Sequence, residues 1–279
     1  MDKIGTGRTA EAYDAGDGKI LKLFYSHISD SHVEREYSTN YLLAQKIDSM
    51  PKVYDKVTKD GRQGIVFQKI TSIHMGSYMM QNPNRIPEVI RKFSQLHCEI
   101  NSAVIDTNTL SIDTADTLIH RIQESSILSR AEKKIVSEYL TATDSKNLCH
   151  GDFHPENVLI DSNSNLWVID WMTSVICSSM FDIARTYYLL RYGKSPEKKP
   201  LNVALVERLV CLYLSNTYYK IRIKNRSDTI KFDCYFFIIL VLRLNDRIPE
   251  ERSSLLKLIK RSRKKALHTM SVFLKPKTD

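Results

Sequence analysis

Polar and apolar residues alternate along the first 70 positions, and apolar residues recur at helical spacing along most of the remaining chain. Residues 4–14 read as a Gly-containing turn entering a strand. Residues 19–25 form a second strand, reached through the turn Asp17-Gly18. Two more strands, 51–57 and 64–70, flank Lys59-Asp60-Gly61. Between the second strand and these two, Ser29-Asp30-Ser31 offers N-caps to a helix over about 32–46. Beyond Ile70, the spacing of Val89, Ile90, Phe93, Leu96 and Ile100 predicts a helix over 86–101, and 113–140 holds two more that break near Ser125-Ser126. Residues 157–160 and 166–169 are apolar runs around Asp161-Ser162-Asn163-Ser164-Asn165, a hairpin signal. From Phe181 onward the chain reads as nearly all helix, interrupted by an exposed loop over 193–200. The pattern predicts an α+β protein of two lobes: a small β-rich N-terminal lobe (1–70) and a large, mostly helical C-terminal lobe (71–279).

The 279 residues suffice for one large domain or two lobes with a real core. The polar start at Met1 shows no apolar signal segment. The longest apolar run, 235–242, is too short to span a bilayer and reads as a buried helix. Cys98, Cys149, Cys177, Cys211 and Cys234 are scattered, with no C-x-x-C pair, which indicates neither a zinc site nor a disulfide framework and suits a reducing cytosol. A cytoplasmic protein with no membrane partner is expected. The net charge of +9 is uneven: residues 201–279 hold 17 Lys plus Arg against 7 Asp plus Glu, so the first 200 are near neutral. The basic run 257–265 could hold nucleic acid. With Leu255, Leu256, Ile259 and Leu267 as its inward stripe, it is read instead as the solvated face of an amphipathic helix.

Against this background one phrase carries chemistry. His150-Gly151-Asp152-Phe153-His154-Pro155-Glu156-Asn157 reads H-x-D-x-x-x-x-N, the catalytic-loop pattern of kinase-like folds. These residue types also suit a plain Asx-rich turn. The hairpin after it ends at Asp170 and carries it back toward Asp152, which favours the chemical reading. A transferred γ-phosphoryl is rich in negative charge, so catalysis needs positioning and metal-borne positive charge. Asp152 can accept the proton of an incoming hydroxyl. Asn157 and Asp170 can hold Mg2+ through oxygen. His154 is read as a packing or loop hydrogen-bonding residue.

A nucleotide constellation precedes this phrase. Gly5-Thr6-Gly7-Arg8-Thr9-Ala10 approximates G-x-G-x-x-G and lets backbone approach phosphates. Lys22 shares a strand face with Ile20 and Phe24, and a lysine on so apolar a strand needs phosphate oxygens and a carboxylate. Glu36 lies on the inward stripe of the next helix and is preferred over Glu34 as that carboxylate. Adenine would be held by the linker Phe67-Gln68-Lys69-Ile70.

Together these segments resemble the aminoglycoside phosphotransferase and choline kinase group over nearly the whole chain. The resemblance implies a protein-kinase-like fold and an ATP- (or GTP-) and Mg2+-dependent phosphotransferase. It also implies that Asp182, in Phe181-Asp182-Ile183-Ala184-Arg185, braces the catalytic loop. Ala10 in place of a third Gly and Gln68 where an acid is frequent are small departures.

Protein kinases differ at several points. Gly151 stands where their loop carries Arg, Trp171-Met172 replaces Phe-Gly, there is no later A-P-E, and only 11 residues separate Asp170 from Asp182. A small alcohol-bearing acceptor is therefore preferred: an aminoglycoside, sugar or amino alcohol. An atypical Ser/Thr protein kinase and a non-catalytic nucleotide-binding regulator are the alternatives. Candidate acids for a cationic acceptor after residue 200 are Asp228, Asp233, Asp246, Glu250 and Glu251.

Overall fold

The computed structural model describes residues 1–7, 9–105, 112–193 and 201–275. Arg8 and most of the loop expected over 193–200 lie outside these. In chain order the elements are strands β1 (Lys3–Thr6), β2 (Ala10–Gly16) and β3 (Lys19–Phe24), helix α1 (Asp30–Leu43), strands β4 (Val53–Lys59), β5 (Arg62–Gln68) and β6 (Ser72–His74), and helices α2 (Met75–Gln81) and α3 (Ile86–Ser102). Then come β7 (Asp113–Thr114), α4 (Ala115–Gln123), α5 (Arg130–Ala142), β8 (Asn147–Cys149), β9 (Val158–Asp161), β10 (Leu166–Val168) and β11 (Val175–Cys177). Four helices close the chain: α6 (Ser179–Tyr192), α7 (Leu201–Arg222), α8 (Arg226–Asn245) and α9 (Pro249–Phe273). The fold is mixed α+β, β-rich at its N-terminal part and helical at its C-terminal part.

Two compact units emerge. The first comprises residues 1–86, 103–112 and 155–173, and the second 87–102, 113–154 and 174–279. In the first, an antiparallel sheet runs β1-β2-β3-β5-β4. Its tight turns fall where sequence placed them: Asp17 and Gly18, then Asp60 and Gly61, all have positive φ, which matches the right-handed twist of a two-residue hairpin. Ser29 caps α1, its hydroxyl accepting from His32 N. The helix turns Val33, Glu36, Thr39, Asn40 and Leu43 inward, and Val33 packs with Phe24, Val53 and Ile65. A second sheet, β10-β9-β6, belongs to the same unit.

The second unit is helical around the small sheet β7-β11-β8. The apolar run 235–242 is indeed a buried helix segment: Phe237 through Leu242 are each at most 1 % exposed. Side chains buried this fully contribute about 1.5–3 kcal/mol apiece. The stripe of α9 differs from the one expected. Leu255, Ile259, Ala266 and Met270 face inward, whereas Leu256 is 39 % exposed, because at about 3.6 residues per turn positions 255, 259, 266 and 270 fall on one stripe and 256 lies about 100° round the helix from 255. Among the described residues no helix is long and apolar enough to cross a membrane.

Candidate active site

In the first unit, β3 delivers Lys22 beneath the inward face of α1. Its Nζ lies 2.6 Å from Glu36 Oε1 and 3.6 Å from Asp170 Oδ1. Burial alone would lower the Lys22 ammonium. The charges of Glu36 and Asp170 outweigh this and leave its pKa raised, so it stays a cation. Burial raises the Glu36 carboxyl, and Lys22 offsets this only in part. Glu34, the other candidate, is exposed and pairs with Lys56.

Asp170 and Asn157 are brought to one end of the β9–β10 hairpin by register. Val158 faces Val168, so the next positions outward are Asn157 and Ile169, and Ile169 N donates to Asn157 O at 3.0 Å. Asn157 closes a short 3-10 turn over Pro155–Asn157 instead of beginning the strand, as its sequence suggests. Asp170 adopts φ +64°, a left-handed conformation that Asp tolerates better than most residues. The wholly buried Trp171 anchors the next turn, its Nε1 donating to Val168 O at 3.2 Å. The Asp170 side chain is left 47 % exposed.

The glycine segment is a strand and turn. Gly5 lies in β1 opposite Ala12, and Gly7 N donates to Ala10 O at 2.8 Å. Neither glycine has positive φ. A Cβ on Gly5 would meet Ala12 Cβ at an ordinary 3.7 Å, so the fold itself does not require glycine there. Gln68 ends β5; its N donates to Lys52 O and its side-chain Oε1 accepts from Lys52 N. Lys69 N donates to Gly18 O, and its ammonium pairs with Asp14. Ile70 O accepts from Ser72 Oγ at 3.1 Å.

Asp152 belongs to the second unit, where β8 leads into the loop through His150 and Gly151. Asp182 fixes this loop: its Oδ2 accepts from His150 N at 2.7 Å and its Oδ1 from Gly151 N at 2.9 Å. Gly151 takes φ +76°, which explains why glycine fills this position. Behind Asp182 stand Asn101, whose Nδ2 donates at 3.1 Å, and His97, whose Nε2 lies at 2.8 Å. Burial lowers the His97 pKa, so the ring is neutral; it donates through Nε2 to Asp182 and accepts from Tyr218 OH at Nδ1. Burial opposes ionisation of Asp182. The groups bonded to it prevail, and the carboxyl lies well below its ordinary range.

Asp152 is similarly held. Burial raises its carboxyl, but the His154 ring, 3.4 Å from Oδ2, and the Arg185 guanidinium, 3.4 Å from Oδ1, together keep it far below the usual range. Sequence reasoning gave His97 and Arg185 no role at the site. His97 offered one signal, a polar ring on the apolar face of α3; Arg185 offered only its place beside Asp182.

The family model for a phosphotransferase enzyme family matches residues 3–208 of the 279. No curated protein matches the chain. Among solved structures, the choline kinase LicA of Streptococcus pneumoniae is similar at 14% identity and a TM-score of 0.54, over 96% of this chain and 92% of that one. An ethanolamine kinase of Plasmodium vivax superposes with a TM-score of 0.58 at 10% identity, over 96% and 82%. The ADP-bound aminoglycoside phosphotransferase APH(2'')-Ib does so with 0.52 at 15%, over 96% and 93%.

Proposed function

The chain belongs to the phosphotransferase enzyme family, and on that premise we propose that it transfers the γ-phosphoryl of ATP to a hydroxyl of a small molecule. One observation carries this reading: a largely buried lysine stands within 3.6 Å of both a buried glutamate and an exposed aspartate. Lys22 neutralises the α- and β-phosphate oxygens, and Glu36 keeps its ammonium charged and in place. Gly5 and Gly7 let the backbone approach phosphate. Asn157 and Asp170 would hold Mg2+, for which amide and carboxylate oxygens are suitable donors. When bound, the ion neutralises charge on the β- and γ-phosphate oxygens. Asp152, already ionised, accepts the hydrogen bond of the acceptor hydroxyl, orients its oxygen and takes the proton as the new O–P bond forms and the bond from Pγ to the β,γ-bridging oxygen breaks, with ADP as the leaving group.

In the linker, the amides of Gln68 and Lys69 are already engaged. Adenine contacts there fall to Ile70 and to carbonyl groups. Of the acids that could receive a cationic acceptor, Asp233 pairs with Lys265, Asp246 with Arg121 and Arg243, and Glu251 with Arg243, while Asp228 accepts from Lys224 N. The neutralisation of Asp233, Asp246 and Glu251 favours a sugar or an amino alcohol of low charge over a polycationic aminoglycoside.

Asp152→Ala tests the assignment. ATP affinity should stay within about threefold while turnover falls by about a hundredfold or more. Turnover equal to wild type removes Asp152 from its role. Label transfer from ATP onto protein instead of small alcohols would favour the protein-kinase alternative.

A further inference from the structure

Arg185 lies on α6, one turn after Asp182, and is 9 % exposed. Its Nε donates to Gly151 O, one of its terminal nitrogens lies 3.4 Å from Asp152 Oδ1, and the other lies 4.0 Å from Asp246 Oδ2. The guanidinium therefore grips both the backbone before Asp152 and the carboxylate itself. A rigid fork with donors in one plane suits this double attachment, and a lysine could not make both contacts in fixed geometry.

Arg185 is itself held. Asp246, just past the end of α8, accepts from Arg121 of α4 at 2.6 Å and lies 3.4 Å from Arg243. Arg243 is clamped by both carboxylate oxygens of Glu251 at 2.7 and 2.9 Å, and Tyr188 OH donates to the same carboxylate. Glu251 is only 3 % exposed. Charged groups from α4, α6, α8 and α9 thus form one alternating network that ends on Asp152. Arg121 and Asp246 alone would serve to tie α4 to α8. That bond does not explain a guanidinium aimed at Asp152.

We propose that Arg185 is a positioning residue that fixes the orientation of the Asp152 carboxylate, and that Asp246 fixes Arg185. The inference rests on the assignment of Asp152 as the group that receives the acceptor proton. Arg185 touches no reacting atom in this scheme; it acts through Asp152. Small misplacement of such a group is costly, about a hundredfold for roughly 1 Å.

The test uses the full chain with MgATP and the best acceptor from a panel of amino alcohols, sugars and aminoglycosides, or water where none is better, and reads nucleoside diphosphate release. Arg185→Gln should lower kcat about 10- to 100-fold while the KM for ATP stays within about twofold. Arg185→Lys should recover at least about fivefold over the Gln variant, and Asp246→Asn should lose about 3- to 10-fold in kcat. A kcat for Arg185→Gln within about twofold of wild type overturns the proposal. So does a Lys variant no better than the Gln variant when both melt early, since that marks a purely structural role. Asp152→Asn runs in the same series. Wild-type turnover there removes the role of Asp152 itself, whereas an inactive Asp152→Asn beside a fully active Arg185→Gln sinks only the positioning role. Should Arg185→Gln fail to fold, Arg185→Lys and Asp246→Asn decide, and wild-type kcat in both overturns the inference.

Discussion

A lysine and a glutamate buried together behave differently from either alone. Glu36 has a raised pKa despite Lys22, and its Oε2 is buried without a hydrogen-bond partner. In Lys22→Met the remaining carboxyl must take up a proton to stay buried. A carboxyl whose folded pKa exceeds its unfolded one costs stability as pH rises above the unfolded value. Lys22→Met should therefore melt at a lower temperature at pH 8 than at pH 5.5, and adding Glu36→Gln should remove most of that difference. Turnover should stay low in both variants. A pH-independent melting temperature in the single variant would show that Glu36 is not trapped. Lys22 and Glu36 stood out in the sequence as charges on an apolar strand face and an inward helical stripe, and Asp152 and Asp170 through the spacing of their phrase and the hairpin after it. The left-handed backbone at Gly151 and Asp170 was not legible, since local sequence does not reveal which turn a tertiary bond will impose.

At the scale of elements, the register of the hairpin β9–β10 brings Asn157 and Ile169 opposite each other and so Asp170 to the same end. A slip of one residue would send Asn157 to the opposite face from its present one. Helix α5 shows a second device. Ser129 and Glu132 form a reciprocal capping box, and Glu132 also receives Arg263 from α9. The Arg263 hydrogen bonds are the main reason its carboxyl is lowered to about 2. A carboxyl depressed in the folded state stabilises above its unfolded pKa, and that contribution fades as pH falls toward the folded value. Glu132→Gln should thus cost about 1 kcal/mol at pH 7 and progressively less from about pH 4.5 down to 2, measured by denaturant titration across that range. A constant difference would assign the effect to the cap geometry alone. The helices were predictable because their apolar spacing is regular. Their ends shifted by a few residues where caps, such as Ser29 and Ser129, decided the boundary.

For the whole molecule, the acceptor is the open variable, and charge placement bears on it. Of the acids after position 200, Asp233, Asp246 and Glu251 each pair with a basic side chain, and Asp228 accepts from the backbone N–H of Lys224. A screen for acceptor-stimulated nucleoside diphosphate release should therefore give its largest response with a sugar or a singly charged amino alcohol. A response confined to polycationic aminoglycosides would reverse that reading. The α+β class was determined by sequence alone, and Lys22, Glu36 and the phrase from His150 to Asn157 were singled out by it, because periodicity, motif spacing and misplaced charge are local properties. Tertiary structure alone decided that β9 and β10 join the sheet of β6, that His97 stands behind Asp182, and that a network ending in Arg185 reaches Asp152. Those contacts join residues far apart in number, and they depend on how helices pack, which no short window of sequence encodes.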